Sequence, residues 1–349
     1  MRGLHIVALA GALFLLISTG AYAAGPGPAA PLISDPPVKD YEDFNPNNFD
    51  HPTQINNPWL PFTPGRQLTY DGFTVEDDGS LLPHRVVRSA TDMTKVIDGV
   101  RTVVGWDADY SDGVLKESEL VFRAQDNDGN VWHFGEYPEV YEEGKITPNQ
   151  VWLHGFEEAH AGIAMWGNPQ VGTPSYSEGW APVVDWTDRG KVDQVGQKTC
   201  VPAGCYDDVL VIAESSRTEP NAEQIKYYAR GVGYVRIGWR GTGPQSKETL
   251  ELTSVKMLSA DELAQVRATA LALEQRSYKN SPTVFALTTP IELPPGVSRP
   301  PIPSDGGAPG MPRTGRAANP VDLWVIIGFM IGLLGAAGGL VLRRRAGLR

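Results

Sequence analysis

The sequence predicts a mainly β domain, built as a strongly curved antiparallel sheet or open barrel with one C-terminal helix, then a Pro-rich stalk and one transmembrane helix. Three observations carry this. Short runs rich in β-branched and aromatic residues recur between about 57 and 255, Asp-Gly pairs stand between several of them, and no helical pattern alternates with them. Asp-Gly between apolar runs is the strongest short-range hairpin signal. A parallel sheet would need helices interleaved with the strands.

The chain opens on Met1, Arg2 and Gly3, one positive charge before an apolar run over 4–18. That run is too short to cross a bilayer comfortably, and it leads to Ala21-Tyr22-Ala23, a small-x-small cleavage site. Together these predict a signal peptide over 1–23 and a mature chain from Ala24. Residues 24–56 are rich in Pro and Asn and lack periodicity, so they read as an extended N-terminal arm. The β-rich extracellular domain is expected over 57–279, starting where Asn57-Pro58-Trp59-Leu60-Pro61 brings in bulky side chains.

Strands are expected over 85–90, 101–110, 119–125, 131–135, 207–214, 224–229, 233–239 and 248–255. Asp98-Gly99, Asp112-Gly113, Asp128-Gly129 and Gly231 mark turns between them. The two cysteines, Cys200 and Cys205, flank the turn chemistry of Pro202-Ala203-Gly204. An even count in an exported chain predicts a disulfide across a hairpin. Ser259-Ala260-Asp261-Glu262 is a capping box, and Leu263, Val266, Ala270 and Leu273 follow at helical spacing, so a helix is expected over 260–276.

Composition then shifts. Nine prolines lie between Pro282 and Pro312, with almost no apolar clustering, which predicts a stalk over 280–313. At about 3.1 Å per residue such a segment reaches roughly 90 Å. Residues 323–342 carry no charge and match the length of a helix across the hydrocarbon core. Arg343, Arg344, Arg345 and Arg349 follow, and a basic cluster stays on the cytoplasmic side. The domain is therefore expected outside the cell, with a cytoplasmic tail.

The chain carries 30 Lys plus Arg and 41 Asp plus Glu. Setting aside Arg2, the five arginines beyond Thr314 and Asp322 leaves 24 basic against 40 acidic residues, a formal charge of −16. Such a surface repels nucleic acid and anionic lipid, and suits solubility or cationic partners.

The densest cluster of ligand-type side chains is His154, Glu157, Glu158 and His160, which could bind Zn or Cu. The two His are six apart with Gly155 between them, so they do not fit the helical His-Glu-x-x-His spacing. No catalysis and at most weak divalent-metal binding is expected there, with no other cofactor. Asp126, Asp128 and Asn130 are similar to the start of a Ca²⁺ loop, but a hairpin turn is the expected reading. Glu178, Asp185 and Asp188 lie beside Trp180 and Trp186, a mix that suits sugar stacking or the charged rim of a β domain. No nucleophile elbow, phosphate loop or dinucleotide fingerprint is present.

Three functions remain open. The first is a surface-anchored, non-catalytic protein displaying a β-rich binding or envelope domain. The second is a surface hydrolase using carboxylates or a metal. The third is a metal- or small-ligand-binding module in a curved-sheet cavity, which a concavity with inward polar groups would favour.

Two resemblances add to this. Met311-Pro312-Arg313-Thr314-Gly315, then the apolar span and the Arg tail, resembles the cell-wall sorting signal of sortase substrates: Leu-Pro-x-Thr-Gly, an apolar helix and basic residues. Met311 stands where the family has Leu. The resemblance implies sortase and peptidoglycan as partners, with cleavage between Thr314 and Gly315. Residues 125–136, 201–211 and 226–233 also resemble a loosely defined group of uncharacterised bacterial exported β-rich proteins. That likeness implies hairpins and buried strands, and no activity. Cys200 and Cys205 occupy turn ends where small polar residues are expected.

Overall fold

The computed structural model describes residues 38–76, 78–142, 145–242 and 247–299. The signal peptide over 1–23, residues 300–313 of the stalk, the sorting-signal-like Met311 to Gly315, the apolar span 323–342 and the Arg tail lie outside the described residues. Among the described residues no helix is long and apolar enough to cross a membrane.

The domain is mainly β. Its first half is a meander of β1 (Arg66–Val75), β2 (Leu81–Ile97), β3 (Val100–Ser111), β4 (Val114–Gln125) and β5 (Val131–Glu142). Short strands follow: β6 (Lys145–Pro148), β7 (Trp152–Leu153), β8 (His160–Met165), β9 (Tyr176–Ser177) and β10 (Gly179–Trp180). A second meander comprises β11 (Arg189–Val201), β12 (Gly204–Ser216), β13 (Glu219–Ala229), β14 (Gly233–Gly241) and β15 (Lys247–Met257). Two helices close the order, α1 (Ala260–Asn280) and α2 (Pro282–Phe285).

The two meanders join into one antiparallel sheet where β1 pairs with β15, from Arg66 opposite Met257 to Val75 opposite Lys247. The sheet runs β10-β8-β5-β4-β3-β2-β1-β15-β14-β13-β12-β11-β9 and is not closed by its ladder. Its two ends are nevertheless pieces of one segment: Tyr176–Ser177 pairs with β11, Gly179–Trp180 pairs with β8, and only Glu178 lies between. The predicted open, curved sheet is thus found, with its margins held by a five-residue latch.

Turn chemistry explains the first meander. Asp98-Gly99 and Asp112-Gly113 have positive φ at both positions and link directly paired strand ends, as a two-residue hairpin turn requires. Asp128-Gly129 differs. The loop between β4 and β5 is longer, and Asp126 organises it. Its Oδ1 accepts from Asp128 N and Asn130 N, and its Oδ2 accepts from Asn130 Nδ2 and Trp132 Nε1. Register shifts at Thr69/Tyr70, Ala90/Thr94 and Phe122/Arg123 supply the bends that curve long strands. At Gly135, φ is +130°, and a Cβ would lie 2.2 Å from the Trp152 carbonyl. Only glycine lets β7 approach β5 there. Cys200 and Cys205 face each other across the β11–β12 turn and form the expected disulfide.

Side chains alternate between two faces of the sheet. The outer face of β2–β5 carries Met93, Trp106, Leu120, Phe122 and Phe134, covered by Val266, Ala270, Leu271 and Leu273 of α1. The capping box at Ser259 and Glu262 starts this helix as expected. The helix continues to Asn280 rather than 276, because Leu273, Glu274 and Ser277 are still buried against the sheet. The inner face gathers Tyr70, Val86, Val121, Leu210, Ile212, Val235 and Leu252 around the entering residues Ile55, Trp59, Leu60 and Phe62.

Two boundary expectations need correction. The described part of the arm is extended but packs on the domain: Phe44 and Phe49 lie against Trp132 and Phe134. The stalk does not begin at 280. Val284, Phe285 and Ile291 enter the core, and Glu292 exchanges backbone hydrogen bonds with Thr94. A few well-spaced apolar residues suffice to dock a segment whose prolines disguise it.

Candidate functional site

The residues singled out as metal ligands do not assemble into a site. His154, at the end of β7, is buried. Its Nδ1 accepts from Ala161 N at 3.1 Å, and its Nε2 lies 3.4 Å from Asp98 Oδ2. Burial pushes its pKa down. His160 begins β8 and stacks flat on Tyr41, with ring centroids 3.6 Å apart. The two imidazoles are 6.4 Å apart between centroids. Glu157 and Glu158 occupy the exposed turn between them, both with positive φ. The physical cause is the turn itself, in which Gly155 N donates to Ala159 O and Ala159 N to Phe156 O. Among the described residues no group of three His, Cys, Asp or Glu is placed to share a metal ion.

The acid and tryptophan segment also divides. Asp185 is exposed. Trp186 packs on Trp152 and His133, and Trp180 lies under the Arg217 guanidinium. Glu178 and Asp188 belong instead to a charged interior, where burial and then Glu214 push both pKa values up, Asp188 to about 6.

That interior is the strongest candidate site. Period-two alternation places His84, Val86, Arg88 and Ala90 of β2 on the inner face. Asp107 and Asp109 of β3 and Glu117, Glu119, Val121 and Arg123 of β4 join them there. Of these, Val86, Arg88, Asp107, Asp109, Glu117 and Glu119 border a cavity of about 110 Å³ whose walls come from β1–β4 and β13–β15. Tyr70 and Tyr234, stacked with centroids 4.9 Å apart, form its aromatic end. Beyond them Leu60, Phe62, Leu68 and Val232 line a smaller apolar space of about 30 Å³. On the opposite side Gln224 and Glu248 are shared with an acidic vestibule of about 180 Å³ that includes Asp188, Glu214 and Trp239.

The charges inside are only partly matched. His84 is clamped between Asp109 (Nε2 to Oδ2, 2.8 Å) and Glu248 (Nδ1 to Oε2, 3.2 Å). Burial alone would lower its pKa, but the two carboxylates carry it up to about 10, so it is an imidazolium at neutral pH. Lys226 is paired with Glu214. Arg88 Nε lies 3.3 Å from Asp107 Oδ2, outside hydrogen-bond geometry, and its guanidinium sits over the Tyr234 ring at 4.9 Å. Neither carboxylate oxygen of Asp107 has a hydrogen-bond partner among the described residues, although the residue is 4% exposed. The Tyr234 hydroxyl is likewise buried without a partner.

The remaining carboxylates are pushed above their ordinary range. Burial, then Asp109 and Asp107, push Glu117 up to about 7. Glu119 is raised well above the usual range by burial, then Glu136, Asp107 and Glu117. Burial, then Glu117 and Asp188, push Glu136 up to about 8. His133 moves the other way, down to about 3, through burial and the nearby Arg123 guanidinium. Displaced titrations clustered around a cavity are a physical signature of a functional site. Sequence reasoning passed over these residues because rows such as Glu117-x-Glu119 and Asp107-x-Asp109 look like a solvent-facing edge. The signal that could have found them is the coincidence of such rows on consecutive strands.

No protein-family model and no curated protein matches the chain. Among solved structures it is similar to a protein described as exported, with YmcC-like fold, from Bacteroides fragilis. The identity is 14% and the TM-score 0.30, over 57% of this chain and 98% of that one. It is also similar to a protein described as a lipoprotein from Parabacteroides distasonis, at 12% identity and TM-score 0.31, over 56% and 97% of the two chains. Similarity at those scores carries no inference about fold or activity.

Proposed function

We propose that this chain is a surface-anchored, non-catalytic binding protein that holds a small polar ligand inside its curved sheet. The observation that supports this reading is the cavity bounded by Asp107, Glu117, Glu119, Arg88 and Tyr234. Its polar groups sit on paired strands, so their geometry is fixed before a ligand arrives, which spares the entropy cost of ordering a loop. Its volume lies well below the ~300 Å³ at which pockets for drug-sized ligands begin. A glycosidic substrate spanning two sugars does not fit, which favours binding over carbohydrate hydrolysis. No serine, threonine or cysteine lines it, so the lining offers no aliphatic hydroxyl or thiol nucleophile.

The address follows from the sequence signals. We infer export through the 1–23 signal, retention by the apolar span 323–342 and a cytoplasmic Arg tail, which together would put the domain outside the membrane. The sorting-signal-like Met311 to Gly315 offers sortase a Thr314–Gly315 bond and peptidoglycan an acyl partner. Protease added to intact cells should release the β domain; a domain protected until the membrane is opened would refute the topology. Mass spectrometry of wall digests should find Thr314 joined to a wall amine, whereas a chain still ending in Arg349 would mean membrane anchoring alone.

The binding reading is tested with the full chain by ligand-observed NMR against small anionic, neutral and cationic molecules. Val86, on the inner face, is replaced by phenylalanine to occupy the cavity. We expect at least one class to bind wild type, lose binding in Val86→Phe and be recovered chemically unchanged. Binding that survives Val86→Phe, or none at all, would overturn the reading.

A further inference from the structure

We propose that the cavity selects a small organic cation, an amine or guanidinium of few heavy atoms, with Asp107 and Glu119 as its charge partners. This rests on the binding reading above and specifies its ligand.

The charges committed elsewhere come first. His84 is held by Asp109 and Glu248, and Lys226 by Glu214. Asp107, Glu117 and Glu119 are left facing one guanidinium, that of Arg88. Three carboxylates against one cation leave the cavity short of positive charge. A buried ionised carboxylate without a partner is costly. The excess holds Glu117 and Glu119 above the usual carboxylate range, so a bound cation would take the place of protons there, and Asp107 has no hydrogen-bond donor on either oxygen among the described residues. A carboxylate only accepts, so whatever satisfies it must donate.

Size and spacing narrow the donor. A bare metal ion needs several ligand atoms converging within about 2.0–2.6 Å of one point, and no trio of acidic, His or Cys side chains among the described residues is so placed. The acceptors instead surround a space of about 110 Å³. An ammonium with three donors or a guanidinium with five distributes N–H groups around its periphery and can reach acceptors on different strands at once. The aromatic end fits the same chemistry. The buried Tyr234 hydroxyl, which has no hydrogen-bond partner among the described residues, is a further acceptor for an N–H donor at that end. The neighbouring space bearing Asp188, Glu214 and Glu248 shares Gln224 and Glu248 with the cavity, and its acidic lining favours cations over anions.

The test is calorimetric titration of the full chain at pH 8 in 0.15 M salt. The probes are 1,4-diaminobutane and methylguanidinium, with acetate, glycerol and Ca²⁺ as comparisons. The variants are Asp107→Asn, Glu119→Gln and, as a surface control, Asp193→Asn, whose side chain pairs with Arg240 outside the cavity. We expect one site for at least one cationic probe, weakened tenfold or more in Asp107→Asn and in Glu119→Gln and unchanged in Asp193→Asn. Circular dichroism establishes that each variant is folded. Cation binding that is equal in wild type and both cavity variants would overturn the proposal, as would a single tight Ca²⁺ site without amine binding. Binding of acetate or glycerol alone, lost in Val86→Phe, would overturn it while leaving the binding reading intact. Absence of binding by every probe would remove both.

Discussion

Lys95 and Asp107 sit on adjacent strands of one sheet and are nearly equally inaccessible, 0% and 4% exposed, yet they live in opposite circumstances. Lys95 faces α1. Its ammonium donates to Glu274 Oε1 (3.1 Å), Thr289 O (2.7 Å) and Tyr278 Oη (3.2 Å). Glu274 in turn accepts from Ile291 N, and Arg299 Nη1 stands 3.6 Å from its other oxygen. Nearby, Glu139 accepts from Tyr137, Tyr141 and Arg276. Lys95, Glu274 and Glu139 are each tied to named partners, and the ties bind helix and C-terminal segment to sheet. Asp107 faces the interior with no donor. Burial alone therefore does not distinguish a structural charge from a functional one; the completeness of its hydrogen bonding does.

The comparison is broken most severely at Lys95. Removing its ammonium in Lys95→Ala strands Glu274 and should cost about 3–5 kcal/mol, read as a fall in the urea midpoint with unchanged slope. A loss under about 1 kcal/mol would mean that the two sides are not different in kind. Asp126 sharpens the contrast among aspartates, because it is 6% exposed but fully bonded. Asp126→Ala should cost about 1–3 kcal/mol, since the donors it leaves behind are buried. Asp107→Asn should cost less than about 1 kcal/mol in the same assay without ligand, because no hydrogen bond to Asp107 is lost and only its 3.3 Å contact with Arg88 is weakened. Destabilisation comparable to Asp126→Ala would show that Asp107 is structural.

The contrast also predicts a pH dependence. Glu117 and Glu136 hold protons to about pH 7 and 8 in the fold and lose them near 4.3 when unfolded. The folded state binds more protons in between, so stability falls as pH rises toward 8. The groups facing them are Asp107, Asp109, Glu119, Asp188, Arg88 and Arg123. His84 contributes with the same sign, losing its bonus as pH approaches 10. His133, down at about 3, acts in the opposite sense only below its unfolded value near 6.5. Between pH 6.5 and 8.5 the ligand-free midpoint temperature should therefore drop, and Glu136→Gln should flatten the slope. A midpoint rising over that interval would refute the assignment.

Much of the frame was legible beforehand. Asp98-Gly99 and Asp112-Gly113 announced their hairpins, Ser259 and Glu262 announced the helix, and the spacing of Cys200 and Cys205 announced their bridge. These are local signals, each decided by a few neighbouring residues. β1 and β11 escaped notice because Arg66–Val75 and Arg189–Val201 alternate among polar residues. Phe285 and Ile291 were hidden by the prolines around them. The cavity was illegible for a deeper reason. Period two reveals that a strand has two faces, but inside is inferred from apolarity, and here the inner face carries Asp107, Asp109, Glu117 and Glu119. Only the pairing of β1 with β15, which no short window contains, brings those rows opposite Lys226 and Glu248.

That same seam sets an order of events for a nascent chain. The meanders β1–β5 and β11–β15 can each form by closing short hairpins, a fast process. The β1–β15 ladder must wait until the last strand has been delivered, and it then closes a loop spanning almost the whole domain. Such non-local pairing is slow. Until it happens β1 and β15 present open edges to any neighbouring chain, and the cavity, which needs walls from both meanders, does not exist. A molecule that fits the finished cavity would bind only after the seam has formed, and by mass action would hold it shut.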